Sequence, residues 1–299
     1  MREAPTKAAS GDDRAAGEQG EGAMSEAATD RGRLRGAAYA TPGPLAARAA
    51  LYQYEDDRLD LPGRVLDLAE QERPLSAGSR LLDVGCGPGA YLAAAKARHP
   101  GITAIGFDLS AGMAGAAHGT NSPTAVADAM QIPARTDAFD VVICAHMLYH
   151  APDIAVAAAE LARVVRPDGI VAIATNGARH LLELDTLRSD AVRTLSDVEW
   201  NAPAHSHSRF LFEDAAELIA PALDVVRADA SSRTITVPDA APLVAYVDSG
   251  RSLFEPSLPA GITWEQLITA FEAHAAAVIA RDGPFVIHSE GGVLLCRAA

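Results

Sequence analysis

Apolar runs and stretches of helical spacing alternate along the middle of the chain. Residues 79–84, 102–107, 123–127, 139–145 and 169–175 are apolar almost throughout, as strands are when both faces of a sheet are covered. Between them, 89–98, 111–118 and 153–165 space their apolar residues as helices do. Parallel strands need a crossover that helices supply, so the alternation predicts βαβ units and an α/β fold with a doubly wound, mostly parallel sheet. Ahead of this block, Leu45, Ala49, Leu51, Tyr52, Leu59, Leu61, Val65 and Leu68 recur at helical intervals broken near Pro62, which predicts one or two helices. Beyond Thr175 the alternation loosens. Helical pieces are expected at 181–195, 210–219 and 262–280, extended pieces at 223–228 and 234–237, and two strands around a Glu290-Gly291-Gly292 turn at the end.

Composition sets the outer bounds. The first 40 residues are Ala, Gly, Glu, Asp and Arg with few large apolar side chains, so they are expected to form a disordered tail before one domain over 41–299. Met24 lies inside that tail and is a second candidate start. Among 299 residues, 49% hydrophobic content suffices for a large core, while a formal charge of −14 repels the phosphates of nucleic acids. Cys86, Cys144 and Cys296 are far apart, form no CxxC pair or metal-spaced cluster, and read as reduced thiols of a cytoplasmic protein. No run approaches the roughly 20 apolar residues that span a bilayer, so no membrane association is expected.

The residues richest in chemistry are Leu81-Leu82-Asp83-Val84-Gly85-Cys86-Gly87-Pro88-Gly89. An apolar strand enters a glycine turn from which a helix starts, so the backbone can pass close beneath a ligand while free N–H groups face it. Selection for turn geometry alone is the plain alternative. The spacing is GxGxG, and Asp83 stands where a dinucleotide-binding GxGxxG turn has apolar strand. A carboxylate there suits the glycine loop or the cationic end of an aminoacyl group better than a pyrophosphate. Asp108 ends the next strand, where an acceptor-only carboxylate matches a ribose diol or caps the following helix.

At these residues the chain resembles the class I S-adenosylmethionine-dependent methyltransferases, in their small-molecule, UbiE and arsenite-methyltransferase-like branch. LLDVGCGPG resembles the family's first motif and GFDLS the end of its second strand. Asp128-Ala129-Met130, FDVVICAHMLYH and ELARVVRPDGIVAIAT follow in the family's order. The resemblance implies a seven-stranded Rossmann-like sheet with an antiparallel last strand, N-terminal helices and a partly helical lid at about 176–208. It implies S-adenosylmethionine as cofactor, with Gly85, Cys86, Gly87 and Gly89 at the methionine part and Asp83 holding the loop. Asp108 with Leu109 would take the ribose, Asp128, Ala129 and Met130 the adenine, and Ala145 a backbone contact. Tyr52 or Tyr54, with Tyr54 preferred, would fold over the cofactor or else pack on the core.

An activated methyl donor asks the protein mainly to align an acceptor and exclude water. A base helps when the acceptor is a hydroxyl or amine, and His146, Tyr149 and His150 follow the fourth strand at the expected cleft, although His150 can equally cap and pack. His205 and His207 fall in the lid. The chain lacks the [DN]-P-P-[YF] motif and the Pro-Cys nucleophile of base methylation, which lowers nucleic acid further. No metal is assigned. The resemblance implies a small-molecule acceptor methylated at O, N or C, and the Ala, Leu and Val of the expected pocket suggest an apolar natural-product scaffold. The competing readings are an S-adenosylmethionine-binding cyclase or rearrangement enzyme, a NAD-dependent oxidoreductase and a non-catalytic binding module.

Overall fold

The computed structural model of the chain describes residues 26–196, 200 and 206–299. Its sheet is seven-stranded in the order β3-β2-β1-β4-β5-β7-β6. The strands are β1 (Arg80–Val84), β2 (Thr103–Asp108), β3 (Thr124–Val126), β4 (Phe139–Ala145), β5 (Val165–Asn176), β6 (Leu223–Val237) and β7 (Phe285–Ala298). β1 to β5 run parallel, while β7 lies antiparallel between β5 and β6. This is the doubly wound α/β sheet with an antiparallel last strand that the sequence predicts.

Among the described residues, the α-helices of five residues or more are α1 (Pro42–Leu51), α2 (Leu61–Glu72), α3 (Ala90–Arg98), α4 (Ala111–Ala116), α5 (Ile154–Val164), α6 (Leu182–Arg193), α7 (Ala215–Ile219), α8 (Ala240–Ser249) and α9 (Trp264–Asp282). Side chains of a strand alternate in direction, and here both directions are buried. Leu82, Val142 and Cys144 join Leu161 of α5 on one face, whereas Leu81, Val141 and Ile143 join Leu66 of α2 and Leu92 of α3 on the other. The strand order reverses between β1 and its neighbours β2 and β4, which opens a crevice at the carboxyl ends of β1, β2 and β4. The helical residues before α2 end in a 3-10 turn at Tyr52–Tyr54, and the break falls at 55–60, just ahead of Pro62, which occupies the first turn of α2, where its missing N–H costs nothing.

Two expectations fail in the last third. The Glu290-Gly291-Gly292 segment is not a turn but the middle of β7, which is one continuous strand. Gly292 and Gly291 pair with Thr175 and Asn176 at the very end of β5, and beyond them β7 continues with β6 alone as a two-stranded ribbon. The glycines are there for clearance: a Cβ at Gly291 would lie 2.5 Å from the Thr175 carbonyl oxygen, and one at Gly292 would lie 2.3 Å from the Phe212 ring and 2.7 Å from the Asp229 oxygen. The two extended pieces at 223–237 are likewise one strand, β6. Ile235, Val237 and Ile287 of the ribbon form a second core with α6, α8 and α9, around Trp264, Leu267 and Phe271. Gly292→Ala is expected to lower stability by about 1–3 kcal/mol, the usual cost of overpacking. Gly115→Ala in α4, where a Cβ meets nothing within 4 Å, should raise it by about 0.5–1 kcal/mol. Equal and small shifts of the two variants in denaturant unfolding would contradict this reading.

The tail expected over 1–40 ends earlier. Met24 and the rest of residues 1–25 lie outside the described residues, but from Glu26 the backbone is helical, with Asp30 capping a turn at Arg31–Arg33 and a π-helical segment at Leu34–Ala38. Ala27, Ala28, Leu34 and Ala38 are buried. Sparse small residues suffice because they pack against an existing core rather than build one.

Candidate functional site

The glycine loop sits at the carboxyl end of β1, and β2 fixes its path. The Phe107 carbonyl accepts from the N–H groups of Gly85 (2.7 Å) and Cys86 (3.0 Å), and the Asp108 Oδ2 accepts from Gly87 N–H at 2.8 Å. Gly85, Gly87 and Gly89 have φ of 72°, 52° and 89°, a region that L side chains rarely adopt. The Cys86 thiol is buried and packs close to Gly106, so its place is beneath the loop. Asp108 Oδ1 accepts from Ser110 N–H at 2.8 Å, and it is Ser110 that caps α4. The loop anchor expected of Asp83 therefore belongs to Asp108.

Asp83 is only 1% exposed, and its Oδ2 is buried without a hydrogen-bond partner. Burial first, and the Asp108 charge second, push its carboxyl up to about 8. Burial also raises Asp108, opposed by the Ser110 and Gly87 N–H groups. An orphaned buried carboxylate is costly unless a donor or cation completes it. Two carboxylates and a loop N–H already taken by Asp108 make poor company for a pyrophosphate and good company for an aminoacyl ammonium. The residues at this crevice thus fit an adenosyl amino acid.

The described N-terminal segment closes over this region. Arg31 Nη2 lies 2.5 Å from Asp128 Oδ2, while Asp128 Oδ1 accepts from Met130 N–H at 2.9 Å. Ser110 Oγ donates to the Tyr39 carbonyl at 2.7 Å. His150 Nδ1–H donates to the Ala28 carbonyl at 2.8 Å, and its Nε2 accepts from the Tyr39 hydroxyl at 2.9 Å. Both imidazole nitrogens are spent on the segment, so His150 is a tether and leaves the catalytic set expected from sequence. Tyr54, Tyr52 and Tyr39 all pack with the α6, α8 and α9 core, the packing alternative given for the first two, and Tyr39 is in addition close enough to Asp108 to feel its charge. Leu109 packs on that same core, Ala129 and Met130 on the α5 face, and Ala145 on the α2 and α3 face.

A cavity of about 820 Å³ adjoins the crevice at Tyr39, Ala90 and His146. Arg48 and Tyr52 reach it from the N-terminal elements, His146 and Tyr149 from beyond β4, Arg188 from α6 and Tyr246 from α8. The lining is mostly apolar, through residues such as Leu45, Leu184, Val247 and Phe254, as composition suggests, with these polar side chains set into it. His180 and His207 also line it, with rings 5.4 Å apart, and Tyr52 OH is 3.0 Å from His180 Nε2. The sequence placed His207 here but missed Arg48, Arg188, Tyr246 and His180. Arg48, Arg188 and Tyr246 are distinguished only by their inward spacing on helices, and His180 lies in the turn before α6. His205 lies outside the described residues.

His146 holds φ at 53°, a strained value for a non-glycine residue, with its N–H bonded to the Ala174 carbonyl at 2.8 Å. Burial lowers its imidazole to about 4, so it is neutral at pH 7 with lone-pair capacity facing the cavity. Tyr149 is 8% exposed, and burial raises its phenol well above the ordinary value. Arg209 Nη1 donates to the Tyr149 and Ala151 carbonyls at 2.6 and 2.9 Å and holds this loop in place. Among the described residues no cluster of His, Cys, Asp and Glu is arranged to hold a metal ion, and no helix is long and apolar enough to cross a membrane.

Residues 82–173 match the sequence model of a methyltransferase domain family. The methyltransferase GfsG of Streptomyces halstedii is 34% identical over 128 residues, which is 40% of this chain and 46% of the relative. The ubiquinone biosynthesis O-methyltransferase of Methylococcus capsulatus is 42% identical over 108 residues, 33% of this chain and 44% of that one. The chain thus spans under half the length of these relatives. In fold, the chain is similar to an N-methyltransferase of Haemonchus contortus solved with phosphomonomethylethanolamine and S-adenosylhomocysteine. The TM-score is 0.50 at 16% identity, covering 89% of this chain and 59% of that one.

Proposed function

We propose that this chain, a class I S-adenosylmethionine-dependent methyltransferase by its domain at 82–173 and its sheet order, moves a methyl group to an O, N or C atom of a small molecule. The observation that carries the reading is the orphaned Asp83 carboxylate beside a glycine loop anchored on Asp108, opening on the cavity. When bound, S-adenosylmethionine supplies an activated methyl group, so the chain's work is alignment and exclusion of water. Asp83 holds the ammonium, Asp108 fixes the loop and faces the ribose, and Gly85, Gly87 and Gly89 leave room for the methionine part. Asp128, Ala129 and Met130 bracket the adenine, with Arg31 and Tyr39 as cover. His146, neutral and unhindered, takes the proton of a hydroxyl or amine acceptor at its imidazole, and Tyr149 orients that group.

The reading places the protein in the cytoplasm and in biosynthesis. Cys86, Cys144 and Cys296 are free and buried, in keeping with a reducing compartment. Isothermal titration with S-adenosylmethionine, S-adenosylhomocysteine and NAD tests it. Both adenosyl ligands are expected to bind and NAD to give no heat; NAD binding without the other two would overturn it.

A further inference from the structure

Among the described residues that line the cavity, Arg48 brings a guanidinium with no carboxylate against it. Arg48 Nη1 donates to the Ser249 carbonyl at 3.3 Å, and its guanidinium lies 5.3 Å from the Tyr39 ring centroid. Its Nη2 is buried without a hydrogen-bond partner, and no described carboxylate pairs with it. Two of the other cavity arginines are paired, Arg64 with Asp229 at 2.6 Å and Arg188 with Asp185 at 3.1 Å. A buried donor nitrogen with no partner is costly, and protein sites retain that cost when a ligand completes them. Arg48 is also central. Burial raises the phenols of Tyr39, Tyr52, Tyr149 and Tyr246, and in each the Arg48 charge pulls the other way, which places it within reach of all of them.

We propose that Arg48 recognises the acceptor, and that the acceptor carries an anionic oxygen group, a carboxylate or a phosphate, that accepts from Arg48 Nη2. Its body lies among Tyr52, Tyr149 and Tyr246, with the atom to be methylated turned toward His146. The word acceptor rests on the methyl-transfer reading; the anion site does not. Tyrosine edges and hydroxyls around one fork-shaped donor set suit a flat or partly apolar acid, and Arg48 offers the two hydrogens of Nη2 to its oxygens.

The test uses the full chain, with and without S-adenosylhomocysteine, titrated with benzoate, phenyl phosphate and the neutral benzamide. At least one anionic probe is expected to bind tenfold or more tighter than benzamide, and which one does so separates carboxylates from phosphates. Arg48→Gln should abolish the preference, and Arg48→Lys should keep part of it. Because Arg48→Gln removes an uncompensated charge, its melting temperature should stay level or rise, so a lost preference does not reflect unfolding. Equal or absent binding of all three probes, or a preference that survives Arg48→Gln, overturns the proposal. Absence of S-adenosylhomocysteine binding by the unaltered chain would instead sink the cofactor reading, and the probe comparison would still decide Arg48.

Discussion

Binding of S-adenosylhomocysteine at pH 7 should release close to one proton per chain. The Asp83 carboxyl, pushed up to about 8 by burial and by Asp108, is mostly protonated at that pH. An ammonium brought against it favours the ionised form, and a group titrating near 8 that ends ionised gives up about 0.9 proton at pH 7. Apparent affinity should then climb about tenfold per pH unit from 6 to 8 and level off above. The same shift acts on folding with a definite sign. A carboxyl whose folded value lies above its unfolded 3.8 stabilises most at low pH and loses that contribution as pH rises toward 8. His146 and His150, both held near 4 by burial, act oppositely as the unfolded chain takes up their protons, and near pH 6.5 they offset Asp83. Between pH 7 and 8 the Asp83 contribution outweighs theirs, and unliganded stability should fall by about 0.5 kcal/mol per unit. Asp83→Asn should flatten that slope and abolish proton release. Titration calorimetry in buffers of different ionisation enthalpy reads the proton directly. Zero release by the unaltered chain, or a slope that persists in Asp83→Asn, contradicts the assignment.

Asp108→Ala should weaken S-adenosylhomocysteine binding by about 1–3 kcal/mol, some 5- to 150-fold. Two backbone donors, Gly87 N–H and Ser110 N–H, lose a charged acceptor at once, so the loop is released as well as the ribose contact. Asp108→Asn keeps one acceptor oxygen and should recover part of the loss. A second readout separates this from general damage. With the Asp108 charge gone, Asp83 titrates lower and the proton released at pH 7 shrinks in both variants. Unchanged affinity in Asp108→Ala would show that the loop is held by other means and that the ribose lies elsewhere.

The strands β1 to β5 were legible because each is apolar on both faces and bounded by glycines, aspartates or helical spacing. Asp83, Asp108 and the glycine loop were legible for a related reason: a carboxylate beside glycines at a strand end has few uses besides binding. That Asp108 rather than Asp83 holds the loop was not legible, since it depends on which carboxylate can reach the Gly87 N–H across from β2. Gly291 and Gly292 misled because a glycine pair marks a turn by local geometry, and only the Thr175 backbone and the Phe212 ring show that clearance is the cause. Residues 26–40 misled because low hydrophobicity argues against an independent core but says nothing about docking on one through Arg31, Tyr39 and His150. Arg48 carried no signal in sequence at all: an arginine in an amphipathic helix reads as solvated, and its partial burial is a property of what α8 brings against it.

The most direct trial of the account is a crystal structure of the chain with S-adenosylhomocysteine. It should show the amino group within hydrogen-bond reach of Asp83 and the ribose beside Asp108, with Tyr39 over the ligand. Density for the ligand elsewhere, with the ends of β1 and β2 bare, would contradict it.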